Sequence, residues 1–224
     1  MAVHLVARAR IEETGRFSLR VTPGGFGTPE FGPDSGRVRV IGSHLVVESD
    51  APGAASARSI AIDGASLAQL ATFAGVDLSG ALDVGHDTPP VGDVHAPIAL
   101  DDADATDLCE WYRQTAAILD FVLAALPADA TPTLPRLWPE HFDVAVEAQA
   151  TVDRRVNLGG SPGDGSSDEP YLYVGPWTAD RPGDADFWNA SYGAMRTRGE
   201  LAADPSGVVA AGSAFLLDGY GRLR

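Results

Sequence analysis

Lysine is absent from this chain, and all 16 of its basic residues are arginines. A protein without side-chain amines cannot form a Schiff base, use lysine as a general base, or contact phosphates through the lysine of a P-loop. The sequence therefore excludes three classes of lysine-dependent site at once.

Cysteine and long apolar runs are also scarce. The only cysteine, Cys109, cannot form an internal disulfide, which agrees with a reducing compartment. No apolar run approaches the roughly 20 residues that a membrane span needs. The first apolar run is short and is interrupted by His4 and Arg8, unlike a secretory signal. We therefore expect a cytoplasmic protein that does not associate with membranes.

Positive charge is in short supply, since 31 acidic residues face 16 basic ones and the formal net charge is -15. Nucleic-acid binding requires cationic residues that displace counterions from the phosphate backbone. We therefore expect no nucleic-acid partner and no binding to anionic membrane surfaces. A small molecule remains a candidate partner, and the composition leaves the oligomeric state open.

The N-terminal part of the chain has the period-two alternation that is typical of strands. We predict N-terminal strands within residues 3-62, beginning with a hairpin formed by residues 3–10 and 16–21. Three further strands are predicted at Arg37 to Ile41, His44 to Ser49 and Arg58 to Ile62.

Helical patterns follow these strands. Ser66 is a plausible N-cap for a helix from Leu67 to Ala74 that ends before Gly75. Residues 101-126 have a broad apolar stripe at helical spacing and predict the longest helix, with Pro127 as its stop. The stripe contains Leu108, Trp111, Tyr112, Thr115, Ile118, Leu119, Val122, Leu123 and Leu126. Asp204 and Pro205 predict the start of a final helix that ends near Leu217.

The stretch from Leu137 to Trp177 holds two of the four tryptophans and the longest Gly/Ser/Asp-rich loop. Residues 142–148 alternate like a strand, and we expect Tyr171 to Val174 to pair with them across the loop at 159–170. A further edge strand is predicted at Phe187 to Tyr192. These elements make up the predicted C-terminal strands and helix within residues 137-220.

Together these elements predict a single α+β domain over residues 1-224. Antiparallel strands from both halves of the chain would form one or two sheets that pack against one long central helix and shorter helices.

Several segments of the C-terminal half resemble a family of uncharacterised bacterial proteins that is known only as a domain of unknown function. The resembling residues are the helix through Trp111 and Tyr112, then Trp138, Phe142 to Val146, Gly159-Gly160, and Pro170 to Tyr173. The resemblance covers about the last 120 residues and implies that the two halves fold together. It implies no chemistry, because that family has no established activity.

Aromatic residues supply the first functional hypothesis. Trp111, Trp138, Tyr171 and Tyr173 would either line a pocket for a small ligand or form the core between helix and sheet. The pocket reading predicts a non-catalytic or small-ligand-binding protein that needs no cofactor. Whether the protein is an enzyme is left open.

A histidine and carboxylate set supplies the alternative. His86, Asp87, Asp93 and His95 lie within ten residues of each other, and Glu140, His141 and Asp143 could face them in the fold. Histidine with carboxylates suits a divalent transition metal, so His86, His95 and His141 are candidate ligands of a metal-dependent hydrolase. An exposed polar loop would explain the same residues.

The string from Gly159 to Gly163 matches the G-x-S-x-G pattern of serine hydrolases around Ser161. A nucleophile elbow needs a helix after the serine and a later histidine. Pro162 and the following glycines disfavour a helix, and no histidine follows His141. We therefore interpret Ser161 as a turn residue.

Overall fold

The computed structural model describes residues 1–53, 56–82, 84 and 87–224. The strands in this part of the chain are β1 Arg20–Thr22, β2 Gly25–Gly27, β3 Arg37–Ile41, β4 His44–Glu48, β5 Ala57–Ala61, β6 Arg136–Trp138, β7 Asp143–Thr151, β8 Arg154–Ser161, β9 Tyr171–Pro176 and β10 Ala194–Thr197. The α-helices are α1 Arg8–Thr14, α2 Leu67–Ala74, α3 Asp102–Ala125, α4 Arg198–Ala202 and α5 Val208–Leu223. This content confirms the predicted α+β class.

The first sheet has the antiparallel order β1-β2-β3-β4-β5. The three strands predicted between residues 37 and 62 are confirmed as β3, β4 and β5 to within one residue at each end. One face of this sheet is apolar and buried, with Phe26, Val38, Val40 and Leu45 in the core.

The N-terminal segment corrects the predicted hairpin. Residues Ala2–Ala7 form a π-helical turn that continues into α1, so no strand is present at residues 3–10. Val3, Val6 and Ala7 are buried at the spacing of one helix face. Arg8 and Arg10 are buried as well, because their guanidinium groups donate to backbone carbonyl oxygens of Ser79, Gly80 and Ser18. The period-two pattern places these two arginines on the solvent-facing side of a strand. Because both are buried, the strand prediction is wrong.

The second sheet has the antiparallel order β10-β9-β8-β7-β6. It corrects the predicted pairing, because β8 lies between β7 and β9 and pairs with both. The loop that was predicted to begin at residue 159 begins after Ser161, since Gly159 and Gly160 belong to β8. Glycine in a strand marks a close approach as often as a turn, and the sequence alone does not distinguish these.

Helix α3 confirms the longest predicted helix. Six residues of its predicted stripe are fully buried, namely Trp111, Tyr112, Thr115, Ile118, Leu119 and Val122.

Helix α5 begins later than predicted, at Val208 after Gly207, and it extends to Leu223. The strand predicted at Phe187 to Tyr192 is absent, because a 3₁₀ turn at Ala185–Phe187 and a bend precede β10.

The chain divides into two compact units. Unit 1 comprises Met1–Glu110 and Leu137–Phe142, and unit 2 comprises Trp111–Arg136 and Asp143–Arg224. The single domain over residues 1-224 stays a prediction. Among the described residues, no helix combines the length and the hydropathy that a membrane-spanning segment requires.

Candidate ligand-binding groove

The four aromatic residues predicted to line a pocket are not all in one unit. Trp111 is fully buried in α3, and Tyr171 and Tyr173 lie on β9 with ring centroids 6.4 Å apart. Trp138 belongs to unit 1, where its ring lies 5.8 Å from Phe17. Neither cavity described below is lined by any of the four.

The two tyrosines of β9 instead donate to carboxylates within unit 2. The Tyr173 hydroxyl donates to Asp143 on β7, and the Tyr171 hydroxyl lies 2.7 Å from Asp164 Oδ2. The Tyr192 ring packs edge-on against Tyr173 with centroids 6.3 Å apart. This cluster joins strands β7 and β9, the 162–170 loop and the turn that contains Tyr192.

Burial raises the pKa of Tyr173 well above its ordinary value of 10.0, and the Asp143 carboxylate beside it adds to the shift. Burial and the hydrogen bond to Asp164 also raise the pKa of Tyr171. Burial alone would raise the pKa of Asp164, but hydrogen bonds from Tyr171 and Ser166 bring it below its ordinary value. Both tyrosines are therefore neutral donors at physiological pH and cannot serve as bases.

Two histidines of the metal hypothesis, His95 and His141, lie in unit 1. His141 Nε2 is 3.6 Å from Asp87 Oδ2, and both side chains are more than half exposed. The backbone amide of His95 donates to Asp93 Oδ1, and His95 is exposed. His86 lies outside the described residues. Within the part of the chain that is described, no three metal-binding side chains cluster closely enough to hold an ion.

Ser161 is not arranged as a nucleophile. It is buried at the end of β8, its Oγ accepts the Gly163 amide at 3.2 Å, and no helix follows it. The interpretation of Ser161 as a turn residue is wrong, because Ser161 pairs with Tyr171 as the last residue of β8 and the irregular segment begins at Pro162.

A cavity with a volume of about 750 Å³ lies between α3 and α5 in unit 2. We call it the α3–α5 groove and define it by Arg113, Gln114 and Phe121 of α3 together with residues 206–210, 213, 214 and 217. Such a volume is in the range of about 300–1,000 Å³ that is typical of small-molecule sites.

The α3–α5 groove is apolar over most of its surface. Val208, Val209 and Leu217 line one wall, and the Phe121 side chain remains 60% exposed on the other. The Ser213 hydroxyl is already engaged, because it donates to the Val209 carbonyl oxygen at 2.8 Å. The groove therefore offers apolar contact area and few polar groups.

Two features of the groove favour an anion. Arg113 is the only charged residue that lines it. Helix α5 begins at the groove, and its N-cap Gly207 supplies no side-chain cap to the first amides of the helix. Uncapped N-terminal amides carry partial positive charge and favour anions.

Beside the groove, α5 packs closely against α3 and β9. A Cβ atom at Gly212 would lie 2.7 Å from Cδ1 of both Ile118 and Leu172, so a larger residue would require these two side chains to shift. Sequence reasoning missed the groove because it treated α3 and α5 separately. Phe121 was the available signal, since it is a large apolar residue outside the predicted stripe.

Comparisons with known proteins give no match: no family model, no curated protein and no solved structure is similar to this chain. The resemblance to an uncharacterised bacterial family stays a prediction.

Proposed function

We propose that this protein is a non-catalytic binding protein that holds a small anionic amphiphile in the α3–α5 groove. The observation that carries the proposal is a largely apolar cavity of about 750 Å³ whose only charged lining residue is Arg113. The sequence also predicts a small-ligand-binding protein. The proposed site, however, is the α3–α5 groove and not the four aromatic residues.

The apolar part of the ligand is inferred from the exposed walls of the groove. A side chain such as Phe121 that is 60% exposed gains about 25 cal/mol for each Å² that a ligand removes from water. An alkyl chain lying along Phe121, Val209 and Leu217 would cover this surface.

The anionic part is inferred from Arg113 and the start of α5. A guanidinium group forms charge-assisted hydrogen bonds with a carboxylate, and helix amides without a side-chain cap add favourable partial charge. A neutral head group would gain neither contribution.

Binding is proposed in preference to catalysis because of the residues that line the groove. They include no histidine, cysteine, aspartate or glutamate, and the Ser213 hydroxyl is held by the helix backbone. General acid–base catalysis needs a titratable group within hydrogen-bond reach of the reacting atoms.

Calorimetric titration with octanoate tests the proposal, and octanol serves as the uncharged ligand of equal chain length. Ala214→Trp fills the groove from an exposed helix position, and Ala124→Trp is the control on an exposed position of α3 outside it. We expect Ala214→Trp to weaken octanoate binding at least tenfold, about 1.4 kcal/mol, and Ala124→Trp to leave it unchanged. Failure of the unmodified protein to bind octanoate, or equal binding by both variants, would overturn the proposal.

Arg113→Gln separates the head group from the tail. Loss of a charge-assisted hydrogen bond of about 1.5–3 kcal/mol should weaken octanoate binding by roughly 10- to 100-fold. Octanol binding should change less than twofold. Equal losses for the two ligands would show that Arg113 contributes through packing, and the anionic part of the proposal would be wrong.

A metal-dependent hydrolase that uses His86, His95 and His141 is the second candidate. One contact favours it, because Asp87 Oδ2, adjacent in the chain to His86, lies 3.6 Å from His141 Nε2. A bound divalent transition metal would activate water for hydrolysis. Elemental analysis of protein purified without an affinity tag and then reloaded with zinc or manganese tests this candidate. Stoichiometric metal that is lost in His141→Ala would support it, and absence of metal would end it.

A further inference from the structure

A second cavity, of about 590 Å³, lies on the open face of the first sheet in unit 1. It is lined by three of the 16 arginines of the chain, Arg20, Arg37 and Arg39, and by Glu30 and Glu48. We call it the arginine pocket. Its charged groups are one positive charge in excess, whereas the whole chain carries -15.

Gly27 allows the arginines to share one face of the sheet. It is paired with Arg20 on one side and with Arg39 on the other. A Cβ atom at Gly27 would lie 2.6 Å from Arg39 Cγ, so the arginine side chain lies across the glycine. Because Gly27 has no side chain, the surface of the sheet between Arg20 and Arg39 stays open.

Arg39 is held in one position by three hydrogen bonds. Its Nε donates to Thr22 Oγ1 at 3.3 Å, Nη1 to Glu48 Oε1 at 2.9 Å and Nη2 to the Pro23 carbonyl oxygen at 2.9 Å. The side chain is only 15% exposed. Two of the five N–H groups of a guanidinium remain for a ligand, and the fixed geometry reduces the entropy lost on binding.

Arg37 is paired with two glutamates. Its Nη2 donates to Glu30, and its Nη1 lies 3.6 Å from Glu48 Oε2. The hydrogen bond from Arg37 lowers the pKa of Glu30, so this carboxylate stays ionised at neutral pH. Glu30 and Glu48 therefore position Arg37 and Arg39 and offset two of the three positive charges.

Arg20 is the arginine of the pocket that has no direct carboxylate contact, although its charge contributes to the lowered pKa of Glu30. It is exposed at the start of β1, and in the described ranges its side chain forms neither a hydrogen bond nor an ion pair. All five of its donors are therefore available, next to a guanidinium that is already fixed.

We propose that the arginine pocket binds the oxyanion group of a small molecule, a phosphate or a carboxylate, between Arg20 and Arg39. Planar guanidinium groups bind both kinds of oxyanion through paired N–H donors. The cavity is larger than a single oxyanion, so the ligand has a further part that contacts the sheet. The pocket lies in unit 1 and shares no residue with the α3–α5 groove.

Thermal unfolding in inorganic phosphate and in acetate, each compared with chloride at matched ionic strength, tests the pocket, because a ligand that binds only the folded state raises the midpoint. Arg20→Gln should reduce the apparent affinity at least tenfold, and Arg20→Glu should abolish the response. Arg16→Gln, which removes an exposed arginine of unit 1 outside the pocket, should stay within twofold of the unmodified protein.

The two anions distinguish the source of the oxyanion, since a response to one of them alone identifies the group that the pocket prefers. No response to either anion, or an equal response in Arg20→Gln and the unmodified protein, overturns the proposal. Arg113→Gln should leave the phosphate response intact, and Arg20→Gln should leave octanoate binding intact. Failure at one site is thereby distinguished from failure at the other.

Discussion

Tyr173 reaches Asp143 by passing over Gly159, its partner in β8. A Cβ atom at position 159 would lie 2.7 Å from both Tyr173 Oη and the Val144 carbonyl oxygen. The adjacent Gly160 serves the opposite face, where a Cβ atom would meet Thr115 of α3 at 2.9 Å. Each glycine of this pair accommodates a different neighbour on its own side of the sheet.

Gly159→Ala should destabilise the protein by about 1–3 kcal/mol, the usual cost of an inserted methyl group without room. Urea unfolding measures this change. Only part of the cost should disappear in the Tyr173→Phe background, because that variant removes the Tyr173 oxygen but keeps the ring carbon Cζ at 2.8 Å and the Val144 carbonyl oxygen at 2.7 Å. A Gly159→Ala protein as stable as the unmodified one would show that the ring does not cross at this point.

At the residue scale, the sequence identified Gly159 and Gly160 but not their role. Glycines beside serine, proline and aspartate predict a loop, and the real reason for these two is a close approach from another strand and from a helix. Arg8 and Arg10 were misjudged for a related reason. Their burial depends on carbonyl oxygens of Ser79, Gly80 and Ser18, two of which lie about 70 residues away in the chain.

Helices were predicted best where local signals agree. Helix α2 has the predicted bounds, and Ser66 caps it through a capping box in which Gln69 Nα–H donates to Ser66 Oγ and Ser66 Nα–H donates to Gln69 Oε1. Gly75 ends the helix with φ of 73°, a conformation that glycine adopts without strain.

Ser66→Ala should therefore reduce the free energy of unfolding by about 1 kcal/mol, because the Gln69 amide loses the Ser66 hydroxyl as its acceptor. Chemical denaturation is the measurement. Ser59→Ala, on an exposed position of β5, is the matched control and should change stability by less than about 0.5 kcal/mol. Equal effects of the two substitutions would contradict a capping role for Ser66.

Elements whose signals conflict were predicted less well. Residues 3–10 alternate with a period of two and predict a strand, but the structure places them in a helix in which Val6, Arg8 and Arg10 are buried. Helix α5 was expected to begin at Pro205, but Asp204 accepts from Ser206 in a turn and the helix begins three residues later. The pairing of β7 with β8 was missed because the intervening hairpin turn at 152–153 is short and contains no glycine.

At the scale of the whole molecule, charge is the dominant feature. Even if each of the 16 arginines paired with one carboxylate, 15 of the 31 acidic residues would remain unpaired. Exposed ion pairs stabilise the folded state by only about 0–1 kcal/mol each. Repulsion among the excess carboxylates should therefore destabilise the folded state by more than these ion pairs stabilise it. Salt weakens both effects, and the net result should be a more stable protein.

Raising sodium chloride from about 0.01 M to 0.1 M, which shortens the Debye length from about 30 Å to about 10 Å, should therefore raise the midpoint of thermal unfolding by several degrees. Calorimetry or circular dichroism at neutral pH measures the shift. Potassium chloride should act equally, because screening does not depend on which monovalent cation is present. A midpoint that falls with salt would show that ion pairs such as Arg39 with Glu48 dominate the balance.

The sequence by itself determined the α+β class, the helices α2 and α3, three strands of the first sheet and the acidic surface, because local periodicity, capping residues and composition encode these features. Only the tertiary structure decided which strands are neighbours and where the cavities lie. The α3–α5 groove and the arginine pocket each require residues that are distant in the chain, such as Phe121 with Val209, or neighbouring strands such as β1 and β3. Contacts of this kind depend on packing across elements, and no periodicity within one element specifies them.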